Sequence, residues 1–171
     1  MPSCIEAAAT MQAAARIGCI HAVVFAGFSS SALRQRIIDS SATMVVTMDS
    51  SYRNGKEIPL KKTVVEALKD TNCPTVRSVL SLVRTGHETP EMPGNIIEYD
   101  FEAETRLAGD VCTPTSMDSE APLYIMYTSG STGKPKGLVH TTAGFLVNMK
   151  MAIKHAWDVH HDDIVGCPAG K

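Results

Sequence analysis

Residues 44–83 read MVVTMDSSYRNGKEIPLKKTVVEALKDTNCPTVRSVLSLV, and the order of patterns in this stretch decides the fold class. Two short runs rich in β-branched and aliphatic residues, 44–48 and 76–83, predict buried strands. Between them, Pro59 suits a helix start, and Leu60, Val64 and Leu68 fall on one face at a spacing of four. Residues 60–70 therefore predict a helix. A strand–helix–strand order implies two parallel strands joined by a right-handed crossover. Toward the N-terminus the alternation continues. Residues 29–41 open with serines that can cap a helix and carry Leu33, Ile37 and Ile38 as an apolar stripe. Residues 20–25 (IHAVVF) predict another strand, and residues 6–17 form an Ala-rich run with no helix breaker before Gly18. Three strands with helices between them give an α/β layered domain on a parallel sheet.

Toward the C-terminus the pattern changes. Residues 85–119 are punctuated by proline, glycine and acidic residues, and predict loops with one short helix near Glu102. Ile96, Ile97, Tyr99 and Phe101 offer packing groups, so the stretch reads as a connection inside a larger domain. Residues 123–127 (LYIMY) and 137–140 predict two further strands. Thr141 or Thr142 can cap a helix with Phe145, Met149, Ala152, Ile153 and Ala156 on its apolar face, and residues 164–167 predict a last short strand. Trp157 and Met149 read as packing residues and His140 as structural. The expected division is residues 1–84 as a βα layered part, 85–119 as the connection and 120–171 as a loop-bearing part.

Composition excludes several classes of function. The net charge is −2 with no block of like charge, which argues against a nucleic-acid or membrane-surface partner. No apolar run approaches the ~20 residues that span a bilayer. Five cysteines, Cys4, Cys19, Cys73, Cys112 and Cys167, are odd in number and widely spaced. They read as reduced thiols, in keeping with a cytoplasmic compartment. His160, His161, Asp162 and Asp163 read as a polar loop rather than a metal site, and Cys167 as core rather than nucleophile.

The chemistry sits in residues 127–137, YTSGSTGKPKG. Gly130, Gly133 and Gly137 permit close approach of backbone to a ligand. Thr128, Ser129, Ser131 and Thr132 supply hydroxyl donors, and Lys134 and Lys136 supply positive charge. Backbone N–H groups in such turns can form an anion nest, so the composition suits a phosphate tail. The spacing is not that of a Walker A loop. Gly130 and Gly133 are separated by two residues, and Pro135 follows Lys134 where that motif places Ser or Thr. A flexible Gly/Ser linker is the bland alternative, weighed against by the strand-like runs on both sides and the two lysines.

YTSGSTGKPKG closely resembles the phosphate-loop signature of the adenylate-forming superfamily. The stretches IEAAATMQAAARIGCIHAVVFAGF (5–28), RIIDSSATMVVT and YRNGKEIPLKK (within 36–62) and HTTAGFLV (140–147) resemble its AMP-forming acetyl-CoA synthetase branch. The resemblance covers nearly the whole chain outside residues 85–119. It implies part of the N-terminal domain of an acetate–CoA ligase, with an incomplete layered parallel-sheet subdomain and with ATP, Mg²⁺ and CoA as the small molecules used. It further implies that Thr128, Ser129, Gly130, Ser131, Thr132, Gly133 and Lys134, with Lys136, hold the phosphates that leave as pyrophosphate. Arg53, Asn54, Gly55 and Lys56 match the position that contacts the phosphates of CoA, although the branch more often has a small residue at Asn54 and Arg at Lys56.

The resemblance is expected to fail at Pro168. The acyl pocket, adenine site, magnesium site and C-terminal lysine of the family are not matched, so no catalytic or metal residue is assigned and the chain alone is expected to be inactive. A propionyl-CoA or other short-chain synthetase remains open. So do a non-catalytic remnant and a module that docks on the full-length enzyme.

Overall fold

The computed structural model describes residues 1–69, 73–128 and 135–166. In chain order the elements are α1 (Ile5–Arg16), β1 (His21–Ala22), α2 (Ser30–Ser40), β2 (Met44–Met48), β3 (Ser51–Arg53), β4 (Lys56–Ile58) and α3 (Leu60–Leu68). There follow β5 (Ser78–Leu82), β6 (Ile97–Asp100), α4 (Phe101–Leu107), β7 (Pro122–Thr128), β8 (Lys136–Thr141) and α5 (Thr142–Met151), continued by a π-helical turn over Ala152–Ala156. The chain divides into two compact units, Met1–Ala7 with Val24–Cys112, and Ala8–Val23 with Thr113–Lys171.

The first unit is built on a parallel sheet in the order β2-β5-β6, with Val45 opposite Val79 and Leu80 opposite Tyr99. The strand–helix–strand reading of residues 44–83 is thus realised. Leu60, Val64 and Leu68 of α3 are buried as their spacing requires. Val64 and Leu68 join Ile37, Cys73, Val76 and Val79 in one cluster, while Leu60 joins Met48 and Leu82 in a second. Ser29 caps α2 by accepting a hydrogen bond from the Ala32 N–H, which satisfies one of the helix's open donors. Only Ile37 of the α2 stripe is buried. Ile38 is 46% exposed, one position too far round the helix. Arg34 donates to the carbonyls of Ala67 and Glu66 at 3.0 and 2.9 Å, tying α2 to the end of α3.

Two findings depart from the sequence reading here. The strand expected at 20–25 shortens to β1 and pairs in parallel with β7, not with β2 or β5. Its flanking apolar residues are open to solvent, Phe25 at 75%, so no burial extends it. The stretch expected as loops contains α4 as anticipated near Glu102, but also β6 directly before it. Asp100 caps α4 through the Ala103 N–H at 2.7 Å. The sequence Ile97-Glu98-Tyr99-Asp100 alternates apolar and polar residues, yet all four are exposed.

The second unit carries the sheet β1-β7-β8. His21, Tyr124 and His140 lie opposite one another on its three strands and stack, with Phe145 of α5 edge-on to Tyr124. None of the described residues of this unit is fully buried. Trp157 is 61% exposed and Ile164 fully so, and residues 163–166 form no strand. The packing expected of Trp157 and the strand expected from Ile164 are therefore corrected, because neither finds an apolar surface to cover it. Cys167 lies outside the described residues.

Candidate functional site

Residues 51–58 form an antiparallel hairpin, β3 against β4, in the first unit. Asn54 and Gly55 make its two-residue turn with φ of 52° and 73°. Two successive positive φ angles define the primed turn that matches strand twist, for which Asn-Gly is the favoured pair. The Asn54 that departs from the family's usual residue thus has a backbone reason to be there. Arg53 and Lys56 are register partners across the turn, and all four residues at the tip are exposed. Directly opposite residues share a face, and like charges so placed disfavour the hairpin. A bound anion between them relieves that repulsion, so the arrangement suits phosphate recognition.

The base of this hairpin is fixed by Asp49, which sequence reasoning did not single out. Its side chain is buried, and its two oxygens accept five hydrogen bonds. Oδ1 accepts from the N–H groups of Ser50 at 2.7 Å and Arg84 at 3.1 Å. Oδ2 accepts from the N–H groups of Thr85 and Gly86 and from the Thr85 hydroxyl, each at 2.8 Å. Burial alone would raise the carboxyl pKa. The hydrogen bonds from Ser50, Thr85 and Arg84 outweigh it and hold the pKa at about 2. The Lys61 N–H also donates to the Asp49 carbonyl at 3.1 Å, and the Asp49 N–H donates to the Leu82 carbonyl at 2.9 Å. One residue therefore joins the ends of β2 and β5, the start of α3 and the turn at 84–86. The only advance signal was an acidic residue directly after an apolar strand.

Next to that turn stands His87, whose Nε2 lies 3.3 Å from the Tyr52 hydroxyl and 3.9 Å from Glu57 Oε1, both on the hairpin. His87 and Asp49 also line a cavity of about 230 Å³ at the ends of the sheet strands, with Lys61, Glu98 and Asp100 among its walls. Lys61 and Glu98 pair at 2.7 Å there.

The stretch expected to hold phosphates, residues 127–137, falls in the second unit. β7 and β8 are antiparallel neighbours, and Thr128 at the end of one is the register partner of Lys136 at the start of the other. Thr128 and Lys136 are both exposed, at the facing ends of the two strands. Ser129, Gly130, Ser131, Thr132, Gly133 and Lys134 lie outside the described residues. Gly137 is opposite Tyr127, and a Cβ there would lie 3.0 Å from Ile125 Cγ2 and 3.2 Å from Tyr127 Cε1. Glycine at 137 thus lets the side chains of β7 cross the neighbouring strand just behind the loop.

Among the described residues no three His, Cys, Asp or Glu side chains converge where they could hold a metal ion. His160 instead organises its own turn, its N–H donating to Asp163 Oδ2 at 2.7 Å. No helix among the described residues is long and apolar enough to cross a membrane.

The described ends of both hairpins, Thr128 with Lys136 and Arg53 with Lys56, thus sit on an α/β fold with parallel strands. The chain matches the AMP-binding enzyme family over residues 1–169 and belongs to that family. The match includes residues 85–119 and does not stop at Pro168. The chain is 45% identical to an acetyl-coenzyme A synthetase of Syntrophobacter fumaroxidans over 169 residues, which are 99% of this chain and 25% of that protein. It is 48% identical to acetyl-coenzyme A synthetase 2 of Pseudomonas aeruginosa, over 99% of this chain and 26% of that one. The chain therefore spans about a quarter of the length of the curated relatives it matches. Among solved structures, acetoacetyl-CoA synthetase from Streptomyces lividans superposes with a TM-score of 0.81 at 25% identity, covering 93% of this chain and 23% of that one. An acyl-CoA synthetase from Brucella canis superposes with a TM-score of 0.72 at 28% identity, covering 95% and 26%.

Proposed function

We propose that this chain supplies the ATP-phosphate loop and the CoA-phosphate hairpin of an AMP-forming acetate–CoA ligase. The observation that carries the reading is the hairpin register. Thr128 faces Lys136 at the base of the YTSGSTGKPKG loop, and Arg53 faces Lys56 across an Asn-Gly turn. In the reaction, a carboxylate oxygen of acetate attacks the α-phosphorus of ATP, the α–β anhydride bond breaks and pyrophosphate leaves. The CoA thiol sulfur then attacks the acyl carbon, AMP leaves and the thiol proton passes to solvent. Thr128, Ser129, Gly130, Ser131, Thr132, Gly133 and Lys134, with Lys136, hold the departing phosphates, whose negative charge grows in the first transition state. Arg53, Asn54, Gly55 and Lys56 receive CoA phosphates. Magnesium belongs to the reading as an ATP partner, but the described residues offer no ligand set for it and none is assigned. Acetate, ATP and CoA are the partners, in the cytoplasm.

A second reading, a ligase for another short-chain acid, is supported by the acetoacetyl-CoA and acyl-CoA synthetases among the structural relatives. The two readings share both phosphate sites. The sites are tested by amide chemical-shift mapping of the 171-residue protein. CoA is expected to displace the signals of Arg53 to Lys56 and not those of Thr128 and Lys136, and inorganic pyrophosphate the reverse. Displacement of the same residues by both ligands would contradict two separate phosphate sites.

A further inference from the structure

We propose that His87 is a positioning residue for the Arg53–Lys56 hairpin, held out to it by the turn that Asp49 anchors. The functional consequence rests on the reading of that hairpin as a CoA-phosphate contact.

The hairpin is short and its tip is exposed, so its own ladder does little to fix where Arg53 and Lys56 point. Ile58 at the end of β4 packs against the Met48, Leu60 and Leu82 cluster, and nearer the tip residue 87 braces the hairpin from outside. The turn before His87 cannot drift. The Arg84, Thr85 and Gly86 N–H groups all donate to Asp49, and the Ser50 and Thr85 hydroxyls lie 2.7 Å apart. Ser50 directly precedes β3, so the same network sets both the root of the hairpin and the residue that leans on its flank. His87 Nε2 then meets one residue of each strand, Tyr52 on β3 and Glu57 on β4. These two neighbour Arg53 and Lys56 in sequence and are themselves register partners. A shift of the imidazole therefore moves the cationic pair.

The imidazole nitrogen and the Tyr52 hydroxyl can each donate or accept in this contact, and Glu57 adds an acceptor on the other strand. The other ionisable groups around the ring are Asp49 at the end of β2, Lys61 of α3, and Glu98 and Asp100 of β6, all lining the same cavity. Both hairpin contacts are solvent-accessible, which limits their worth to a modest factor in affinity.

The test uses the 171-residue protein, its His87→Ala and His87→Gln variants, and CoA as the probe. Gln places a polar atom near the position of Nε2. The Arg53, Gly55 and Lys56 amide signals are expected to shift in His87→Ala and to return toward their parent positions in His87→Gln. At fixed pH, His87→Ala is expected to weaken CoA binding about two- to five-fold, with His87→Gln restoring most of the loss and the thermal midpoint moving by less than about 2 °C. Arg53, Gly55 and Lys56 amide signals that stay in place in His87→Ala overturn the proposal, as does unchanged CoA affinity in that variant. Signals that move in His87→Ala, in a protein that binds no CoA, remove the CoA reading and support the positioning of the hairpin.

Discussion

Asp49 shows how much one side chain can organise. An Asn at this position matches its shape and not its hydrogen bonding. Whichever oxygen became an amide nitrogen would face at least two donors, Ser50 and Arg84 N–H on one side, or Thr85 and Gly86 N–H with the Thr85 hydroxyl on the other. Asp49→Asn is therefore expected to destabilise the first unit by about 2–4 kcal/mol, read from urea unfolding. The pH dependence follows from the direction of the shift. The folded carboxyl titrates at about 2, below its ordinary 3.8, so the unfolded chain binds the proton more readily. The ionised form thus stabilises the fold above pH 3.8, and that contribution fades as pH falls toward 2. The parent should lose stability over that window, and Asp49→Asn should lack this component. An Asn variant as stable as the parent would show that the five hydrogen bonds are replaceable.

At the level of elements, what could be read from the sequence followed local chemistry. α3 was legible because Pro59 and a spacing of four agree, and α2 because Ser29 caps it. The β3–β4 hairpin announces itself through Asn54-Gly55 only to a reader looking for a primed turn, since its strands are three residues each and carry no apolar alternation. β6 was hidden although its four residues alternate apolar and polar. Parallel pairing with β5, a partner far away in sequence, makes it a strand, and no local pattern encodes that partner. The candidate site divides the same way. Its residue types were visible in the sequence, but the opposition of Arg53 to Lys56 and of Thr128 to Lys136 required the registers. Asp49 and His87 stayed invisible because their partners lie 35 or more residues away for Asp49's turn and 35 for Tyr52. One helix end is improvable. Ser41 closes α2 in the left-handed region at φ 51°, with its N–H on the Ile38 carbonyl and the Ala42 N–H on the Ile37 carbonyl. Glycine takes that conformation without a Cβ penalty, so Ser41→Gly should stabilise the protein by about 0.5–1 kcal/mol. A lowered thermal midpoint would mean that the Ser41 side chain, not its backbone, closes the helix.

Across the whole molecule, every fully buried residue among those described falls in the first unit, while β1, β7 and β8 have none. The first unit therefore has the core to hold a fixed hairpin at Arg53–Lys56. The second carries the loop on a sheet stabilised by cross-strand ring stacking and backbone pairing. On the proposed reading, the two units carry the phosphate sites of two different half-reactions. The central claim is that the two sites serve different steps, and one paired assay tests it most directly. Residues 1–169 replace the matching quarter of the Pseudomonas aeruginosa relative. Lys134→Ala and Arg53→Ala are then measured for acetate-dependent pyrophosphate exchange and for thioester formation from preformed acetyl-AMP. Lys134→Ala is expected to slow exchange by ~10²-fold, equivalent to about 2–4 kcal/mol of lost charge stabilisation, and to leave thioester formation nearly intact. Arg53→Ala is expected to raise the KM for CoA and spare exchange. Equal losses in both assays for Lys134→Ala would contradict the account, because the residue would then hold the fold and not the phosphates.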